Sequence, residues 1–343
     1  MWPFNTIGRK SLNFLAVGDI LTDAFINLQD AEVHCDINDT HCTISMGFGD
    51  KIPYKSATVL RGVGNAANAA VAARRLGLSS ALVATVGDDE EGVQTMKHLD
   101  KERIDKDFMR VQKNIPTNFH YVLRYGAERT ILVKHESYDY PLHESLLDQR
   151  KPQWIYFTSI AKESLSFHHE LMKWLEKNKG TKLAFQPGTF QLELGKDELA
   201  DVYKNSHTFF CNKQEAQKIL STPDADFTEL HQGIRALGPK IIVITDGPNG
   251  LTAPQDSTTI WKLPMYPDPK PPVDRTGAGD ACSSTIVAAL ELGIPFEQAL
   301  LWGPINSMSV VQYIGAQEGL LSREKIESYL KNAPADYKLT KIL

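Results

Sequence analysis

The sequence predicts an α/β protein with a mainly parallel sheet covered on both faces and a smaller β element beside it. Three observations carry this. From Trp154 onward, short apolar runs alternate with amphipathic helical segments, the pattern of parallel strands buried on both faces by helices. The segments 23–60 and 117–135 are β-rich and lack that alternation. Near the carboxyl end, Val273-Asp274-Arg275-Thr276-Gly277-Ala278-Gly279-Asp280 opens a long apolar helical run, as a ligand-binding loop of such a fold does.

Taken in order, Asn13–Val17 is a short apolar run ending at Gly18-Asp19 and reads as a buried first strand. Asp23–Asp30 alternates loosely. Residues 31–55 are polar and aperiodic, consistent with edge strands or a flap. Arg61-Gly62-Val63-Gly64-Asn65 breaks this pattern, and Ala66–Leu76 follows as an Ala-rich helix closed by Gly77, a C-cap signal. Ala81–Val86 reads as a buried strand and Val93–Lys101 as a helix with acids before it. Thr117–Arg124 and Arg129–His135 flank Tyr125-Gly126-Ala127-Glu128 at hairpin spacing. Together, 23–60 and 117–135 are expected to form a small β lid on one domain spanning 1–343.

The alternating part has strands at Trp154–Thr158, Lys182–Phe185, Thr208–Cys211 and Lys240–Thr245. Helices are expected at Ser166–Lys177, Lys196–Asn205, Lys213–Leu220 and Thr228–Ala236. Thr252–Ala253 and Thr258–Leu263 read as a late antiparallel pair. Pro264–Pro272 holds five prolines and reads as a rigid linker. Helices at Ala281–Leu292, Phe296–Gln312 and Ser322–Leu330 follow, and 331–343 reads as a tail.

Composition sets bounds on function. The chain has 343 residues, 42% hydrophobic and 23% charged, with net charge -5, ordinary values for a globular protein. No Lys/Arg cluster forms a basic patch, so no nucleic-acid partner is expected. No apolar run reaches bilayer length, and Met1–Asn13 has no apolar core of a secretory signal. Of the four cysteines, Cys211 and Cys282 sit in apolar runs and read as buried thiols. Cys35 and Cys42 allow pairing, or metal binding with His34 and His41, but no second ligand pair lies at zinc-site spacing. Unpaired thiols and a reducing, cytoplasmic compartment are the expectation.

Several punctuated segments fall where parallel strands end: Gly18-Asp19, Gly87-Asp88, Asn212, Thr245-Asp246-Gly247 and the 274–280 loop. Gly277 and Gly279 let a ligand approach the backbone, and the helix start adds unpaired N–H donors that suit an anion such as phosphate. Asp280 beside that site is either a helix cap or a base. Thr245, Gly247 and Gly250 follow the most apolar strand and either wrap a nucleotide or form a turn. Asn212 and Glu215 either cap a helix or hold the hydration shell of Mg²⁺. Gly64, Asn65 and Asn68 present backbone and amides at a helix start, suited to sugar hydroxyls. The glycines there do not complete a dinucleotide fingerprint, because no acid follows a second strand at the needed distance. Asp23, more than Asp19, is expected to take a hydroxyl pair. Arg124, Arg129 and Lys134 on the hairpin read as solvated charges.

Gly64-Asn65-Ala66-Ala67-Asn68, Asn212-x-x-Glu215 and Asp274-x-Thr276-Gly277-Ala278-Gly279-Asp280 stand in the order and spacing of the ribokinase-like (phosphofructokinase-B) family of sugar and nucleoside kinases, which the chain resembles over about 13–330. The resemblance implies a ribokinase-like three-layer α/β/α core with a small β lid, and ATP-dependent phosphorylation of a sugar or, alternatively, an adenosine-like nucleoside. A non-catalytic sugar-binding protein on the same fold is a further alternative. The resemblance implies Asp280 as catalytic base and Gly277, Ala278 and Gly279 as the anion hole. Asp23, Gly64, Asn65 and Asn68 match acceptor contacts. Thr245, Gly247, Gly250 and Asn306 match nucleotide contacts. Asn212 and Glu215 match the Mg²⁺–phosphate motif, and Asp274 and Thr276 match a monovalent cation (K⁺) position. Family lids pair face to face, so a homodimer is expected. For a nucleoside base, Phe48, Phe119, Tyr121 and Tyr138 are the aromatic candidates. Three features depart from the family pattern: Val63-Gly64 stands for a Gly-Gly pair with Gly62 one place ahead, 31–55 is long, and Arg275 is large.

Overall fold

Alternate side chains of each central strand enter two different cores, which is why those strands read as unbroken apolar runs. In the computed structural model, which describes residues 11–35, 42–126, 128–254 and 259–342, Phe14 and Ala16 join one core while Leu15 and Val17 join the other. Trp154 and Tyr156 separate from Ile155 and Phe157 in the same way, as does Ala184 from Leu183 and Phe185. The first core is covered by the helices Asn65–Arg75, Ala278–Glu291 and Phe296–Val310, the second by Leu165–Lys177, Lys213–Leu220 and Phe227–Ala236. This is a three-layer α/β/α arrangement.

The sheet between them has ten strands among the described residues. In spatial order they are Met109–Gln112, Ser80–Gly87, Phe14–Val17, Trp154–Phe157, Lys182–Phe185, Ser206–Asn212, Ile241–Thr245, Leu251–Pro254, Ile260–Leu263 and Thr340–Lys341. Pairing is parallel up to Ile241–Thr245 and antiparallel beyond it. The carboxyl ends of the parallel strands therefore share one edge. Asp19, Gln186, Asn212 and Thr245 all lie at or just past those ends.

A second, four-stranded sheet pairs Tyr54–Val63, Leu21–Leu28, Phe119–Tyr125 and Glu128–Leu132. Register fixes its two faces, since side chains alternate along each strand. Leu60, Asp23 and His120 form one row, and the adjacent row, Val59, Ala24, Tyr121 and Leu132, points the other way. Asp23 and His120 line a cavity, whereas Val59, Tyr121 and Leu132 are exposed.

Several expectations need correction. Cys35 and Cys42 are disulfide-bonded. Glu32–Cys35 and Cys42–Ser45 form a hairpin that sets the two cysteines directly opposite each other, a pairing that spacing alone does not reveal. The reducing compartment inferred from unpaired thiols loses that support; Cys211 and Cys282 are buried and free. Residues 331–342 are not a tail: Tyr337 is buried against Tyr266, and Thr340–Lys341 adds an edge strand. The strand Tyr54–Val63 runs through Gly62 instead of breaking before it. Met109–Gln112 and the helix Glu144–Arg150 went unread because they are short. Ala127, Thr258 and His41 lie outside the described residues. No helix among the described residues is long and apolar enough to cross a membrane.

Candidate active site

The catalytic-loop candidate begins where the coil after Leu263 meets the helix Ala278–Glu291. Asp274 braces it. One carboxylate oxygen accepts the Thr276 N–H at 3.1 Å and its hydroxyl at 2.8 Å, and the other accepts the Gly315 N–H at 2.9 Å. Gly277 caps the helix in the left-handed region, φ 77°, and a Cβ there would come within 2.2 Å of the Ala316 methyl. Only glycine suits both demands. The first-turn N–H groups have no intrahelical acceptor, a geometry that suits an anion.

Asp280 sits in that first turn and is buried. Three amides converge on it. Asn65 Nδ2 donates to Oδ1 at 3.0 Å, Gln186 Nε2 to the same oxygen at 3.1 Å, and Asn68 Nδ2 to Oδ2 at 2.9 Å. Burial nevertheless pushes its carboxyl up to about 6, against the pull of these three donors. Gln186 is held in turn: its side-chain Oε1 accepts from the Tyr156 and Ser283 hydroxyls, and its backbone N–H donates to Phe157 O at 2.9 Å.

Asp280 lines a cavity of about 530 Å³. Across it, on the small sheet, stands Asp23. Burial and the charge of Asp274 push the Asp23 carboxyl up to about 7. His120 lies 3.6 Å away, but burial and His135 push its imidazole down to about 4, so the two do not form an ion pair at neutral pH. Asp19, from the end of Phe14–Val17, is held by His135 Nδ1 at 3.0 Å and by the Tyr140 hydroxyl at 3.0 Å. Gly64, Asn65, Asn68, Thr276, Gly277 and Glu215 share this cavity with apolar Leu21, Ile131, Val133 and Phe190.

A second cavity of about 430 Å³ lies on the other side of the loop. Thr245, Gly247 and Gly250 line it together with Ser307 and Pro304. The proline segment is more than a linker, since Met265, Tyr266, Pro267 and Pro272 form a wall. Arg275, Ala278 and Gly279 line both cavities. The two spaces thus meet at the first turn of the helix, with Asp280 on one side of the junction.

The remaining predicted residues fall as follows. Asn212 and Glu215 form a reciprocal cap: Asn212 Oδ1 accepts the Glu215 N–H and a Glu215 oxygen accepts the Asn212 N–H, both at 2.8 Å. Burial raises the Glu215 carboxyl, as does the charge of Asp280. Asn306 is fully buried and outside both cavities; it donates to Thr285 Oγ1 and accepts the Leu321 N–H. Asp274 is a loop brace. Phe48 and Tyr121 are exposed, the Tyr138 hydroxyl donates to Pro116 O, and Phe119 packs tilted against Tyr121; none of the four lines the cavity of Asp280. Phe190 does, with His135 against it edge to face at 5.1 Å. Sequence reasoning missed Gln186, His120, His135 and Phe190. Gln186 had one signal, a polar residue ending an apolar strand.

Comparison with known proteins agrees with this architecture. The family model described as pfkB family carbohydrate kinase matches residues 30–323, so the chain belongs to the pfkB family of carbohydrate kinases. Ribokinase of Bacillus subtilis is 27% identical over 272 residues, 78% of this chain and 87% of its own length. The structure of Arabidopsis thaliana ribokinase complexed with ribose and ATP superposes with a TM-score of 0.77 at 19% identity, covering 94% of this chain and 99% of that one. A Methanocaldococcus jannaschii nucleoside kinase, described as an archaeal member of the ribokinase family, superposes with a TM-score of 0.75 at 18% identity, covering 95% and 100%. The fold is the ribokinase fold, and the protein is a ribokinase-family kinase.

Proposed function

We propose that the protein transfers the γ-phosphate of ATP to a hydroxyl of a small sugar or sugar derivative, with Asp280 as the base. The observation that carries this reading is the pair of cavities joined at Arg275, Ala278 and Gly279 with Asp280 at the junction. A two-substrate transferase needs two adjoining spaces and, where they touch, donors for the moving group beside a proton acceptor. Thr245, Gly247 and Gly250 would hold the nucleotide. Asp23 and Asn65 would orient the acceptor so that one hydroxyl faces Asp280, which takes its proton as the oxygen attacks phosphorus in line. The N–H groups of residues 277–279 receive the charge that builds on the transferred group, and the small sheet over the acceptor excludes water.

Half-buried Glu215 and buried Asp280 present two like charges to one space, an arrangement that a divalent cation relieves. Asn212 and Glu215 would hold Mg²⁺ through its water shell, and Mg²⁺ when bound neutralises phosphate charge. The K⁺ position fits less well. The Asp274 carboxylate is already closed on Thr276 and Gly315.

A nucleoside is the second reading, favoured by the apolar wall of Leu21, Ile131, Val133 and Phe190, which would take a flat base. The exposed row Val59, Tyr121 and Leu132 supports pairing of two copies through the small sheet. A panel of pentoses, hexoses and nucleosides, followed by ADP release, separates the readings. Turnover of sugars alone supports the first and of nucleosides alone the second; none with any acceptor refutes both and favours a sugar-binding protein.

A further inference from the structure

Asn68 cannot serve freely as a sugar contact, because both ends of its amide are engaged. Its Nδ2 donates to Asp280, and its Oδ1 accepts from Gln317 Nε2 at 3.0 Å. Gln317 is itself buried, and the same Nε2 donates to Gly62 O at 2.9 Å. Its Oε1 faces His98 Nε2 at 2.7 Å.

The direction of this chain is fixed from two independent points. A carboxylate only accepts, so Asn68 must turn its NH₂ toward Asp280 and its oxygen toward Gln317. A backbone carbonyl also only accepts, so Gly62 O requires the Gln317 NH₂ on its side. Gln317 Oε1 is then an acceptor, and His98 Nε2 must carry the hydrogen. Every donor points toward Asp280, and hydrogen bonds aligned this way polarise one another.

From this geometry we infer that His98 and Gln317 are positioning residues for Asp280, locking the Asn68 amide with its donor on the carboxylate. The inference rests on Asp280 being the base. The chain joins residues 212 to 249 positions apart, and its neighbours are braced accordingly. Gly315 and Ala316, just before Gln317, contact Asp274 and Gly277 of the loop, and Arg75 Nη1 donates to Gln317 O at 2.7 Å. It also accounts for Gly62, the displaced glycine. With φ 69°, Gly62 lets His98 pack so close that a Cβ would lie 2.8 Å from His98 Cδ2. Without Gln317 the Asn68 oxygen loses its buried partner, and the carboxylate alone is left to hold the amide in place.

The charged or titratable groups around the two ends are Glu215, Tyr156, Asp23, His120 and Arg275 near Asp280 and Arg61, Arg75, Lys97, Lys101, Glu102 and Glu318 near His98. The test uses the full-length protein with Mg-ATP and D-ribose, D-fructose and adenosine as acceptors. His98→Leu and Gln317→Met are expected to lower kcat about tenfold with KM for ATP within about twofold. Both should also move the acid limb of the pH profile upward. His98→Gln restores an N–H toward Gln317 and should recover kcat to within about threefold of wild type. Unchanged kcat in His98→Leu, or equal loss in His98→Leu and His98→Gln, overturns the inference. Nitrogen-15 spectra at pH 8 provide a readout that survives if a variant does not fold or if none of the acceptors is used. Neutral His98 should be the Nε2–H tautomer, and a majority of Nδ1–H refutes the chain. Asp280→Asn separates the two ideas: full turnover in that variant removes the base, whereas its inactivity beside wild-type-like His98 and Gln317 variants removes only the chain.

Discussion

Asp280 and Asp23 face one cavity from opposite sides and are held differently. Asp280 stands on the core helix with three amides directed at it. Asp23 stands on the small sheet beside a neutral imidazole, under the charge of Asp274, and its carboxyl is pushed up further, to about 7 against about 6. Fixed donors keep an acid ionised and oriented at neutral pH, ready to take a proton. An acid left with little compensation gains most when a ligand supplies hydroxyl donors. The first arrangement suits a base and the second an acceptor-binding group.

The comparison is broken most severely at Asp280. Asp280→Asn keeps the size and loses the basicity, so kcat should fall by about 10³-fold or more, while the affinity for ATP measured by calorimetry stays within about twofold. Asp23→Asn should act on the acceptor instead: KM for the acceptor rises about 10- to 100-fold, the worth of a hydrogen bond to a charged group, with a smaller change in kcat.

The same variant tests the cost of the bare carboxyl. Its folded value is raised from 3.8 to about 7, so the folded state holds a proton that the unfolded chain has lost. Wild-type stability from this group is full below about 3.8 and is lost as pH rises through about 7. The unliganded Asp23→Asn protein should therefore exceed wild type in stability at pH 8, by on the order of 2–4 kcal/mol, and match it near pH 4. Denaturant melts at the two pH values read this out; an equal difference at both contradicts the assignment.

Gly277→Ala sharpens the geometry of the loop. A methyl 2.2 Å from the Ala316 Cβ, on left-handed backbone, should cost about 1–3 kcal/mol of stability. It should also shift the N–H groups of the anion position enough to lower kcat with the acceptor KM nearly unchanged. Wild-type kcat in a folded Gly277→Ala protein would deny the loop its role.

Much of the core side was legible in the sequence because its signals are local. Buried strands announce themselves as apolar runs, and Asp274 to Asp280 and Asn212 to Glu215 are each one short continuous segment. The partners of Asp280 were legible only in part. Asn65 and Asn68 share a short motif, but Gln186 lies 94 positions from Asp280, and Gln317 reaches Asp280 only through Asn68, which is 249 positions from Gln317. A lone glutamine has no period or spacing to mark it. The small sheet was harder still. His120 acquires meaning only when register sets it beside Asp23, and His135 only when the chain past Glu128–Leu132 folds back onto Asp19. The Cys35–Cys42 bond was hidden for the same reason, since cross-strand opposition is a property of the hairpin and not of the count of cysteines.

The central claim is that Asp280 accepts the proton, and the pH dependence of kcat/KM tests it most directly. Wild type should lose activity as pH falls through about 6, where the Asp280 carboxyl gains its proton, and Asp23→Asn should keep that limb. The residual rate of Asp280→Asn should lack it. A wild-type profile flat from pH 5 to 8, or the same limb persisting in Asp280→Asn, would contradict the account.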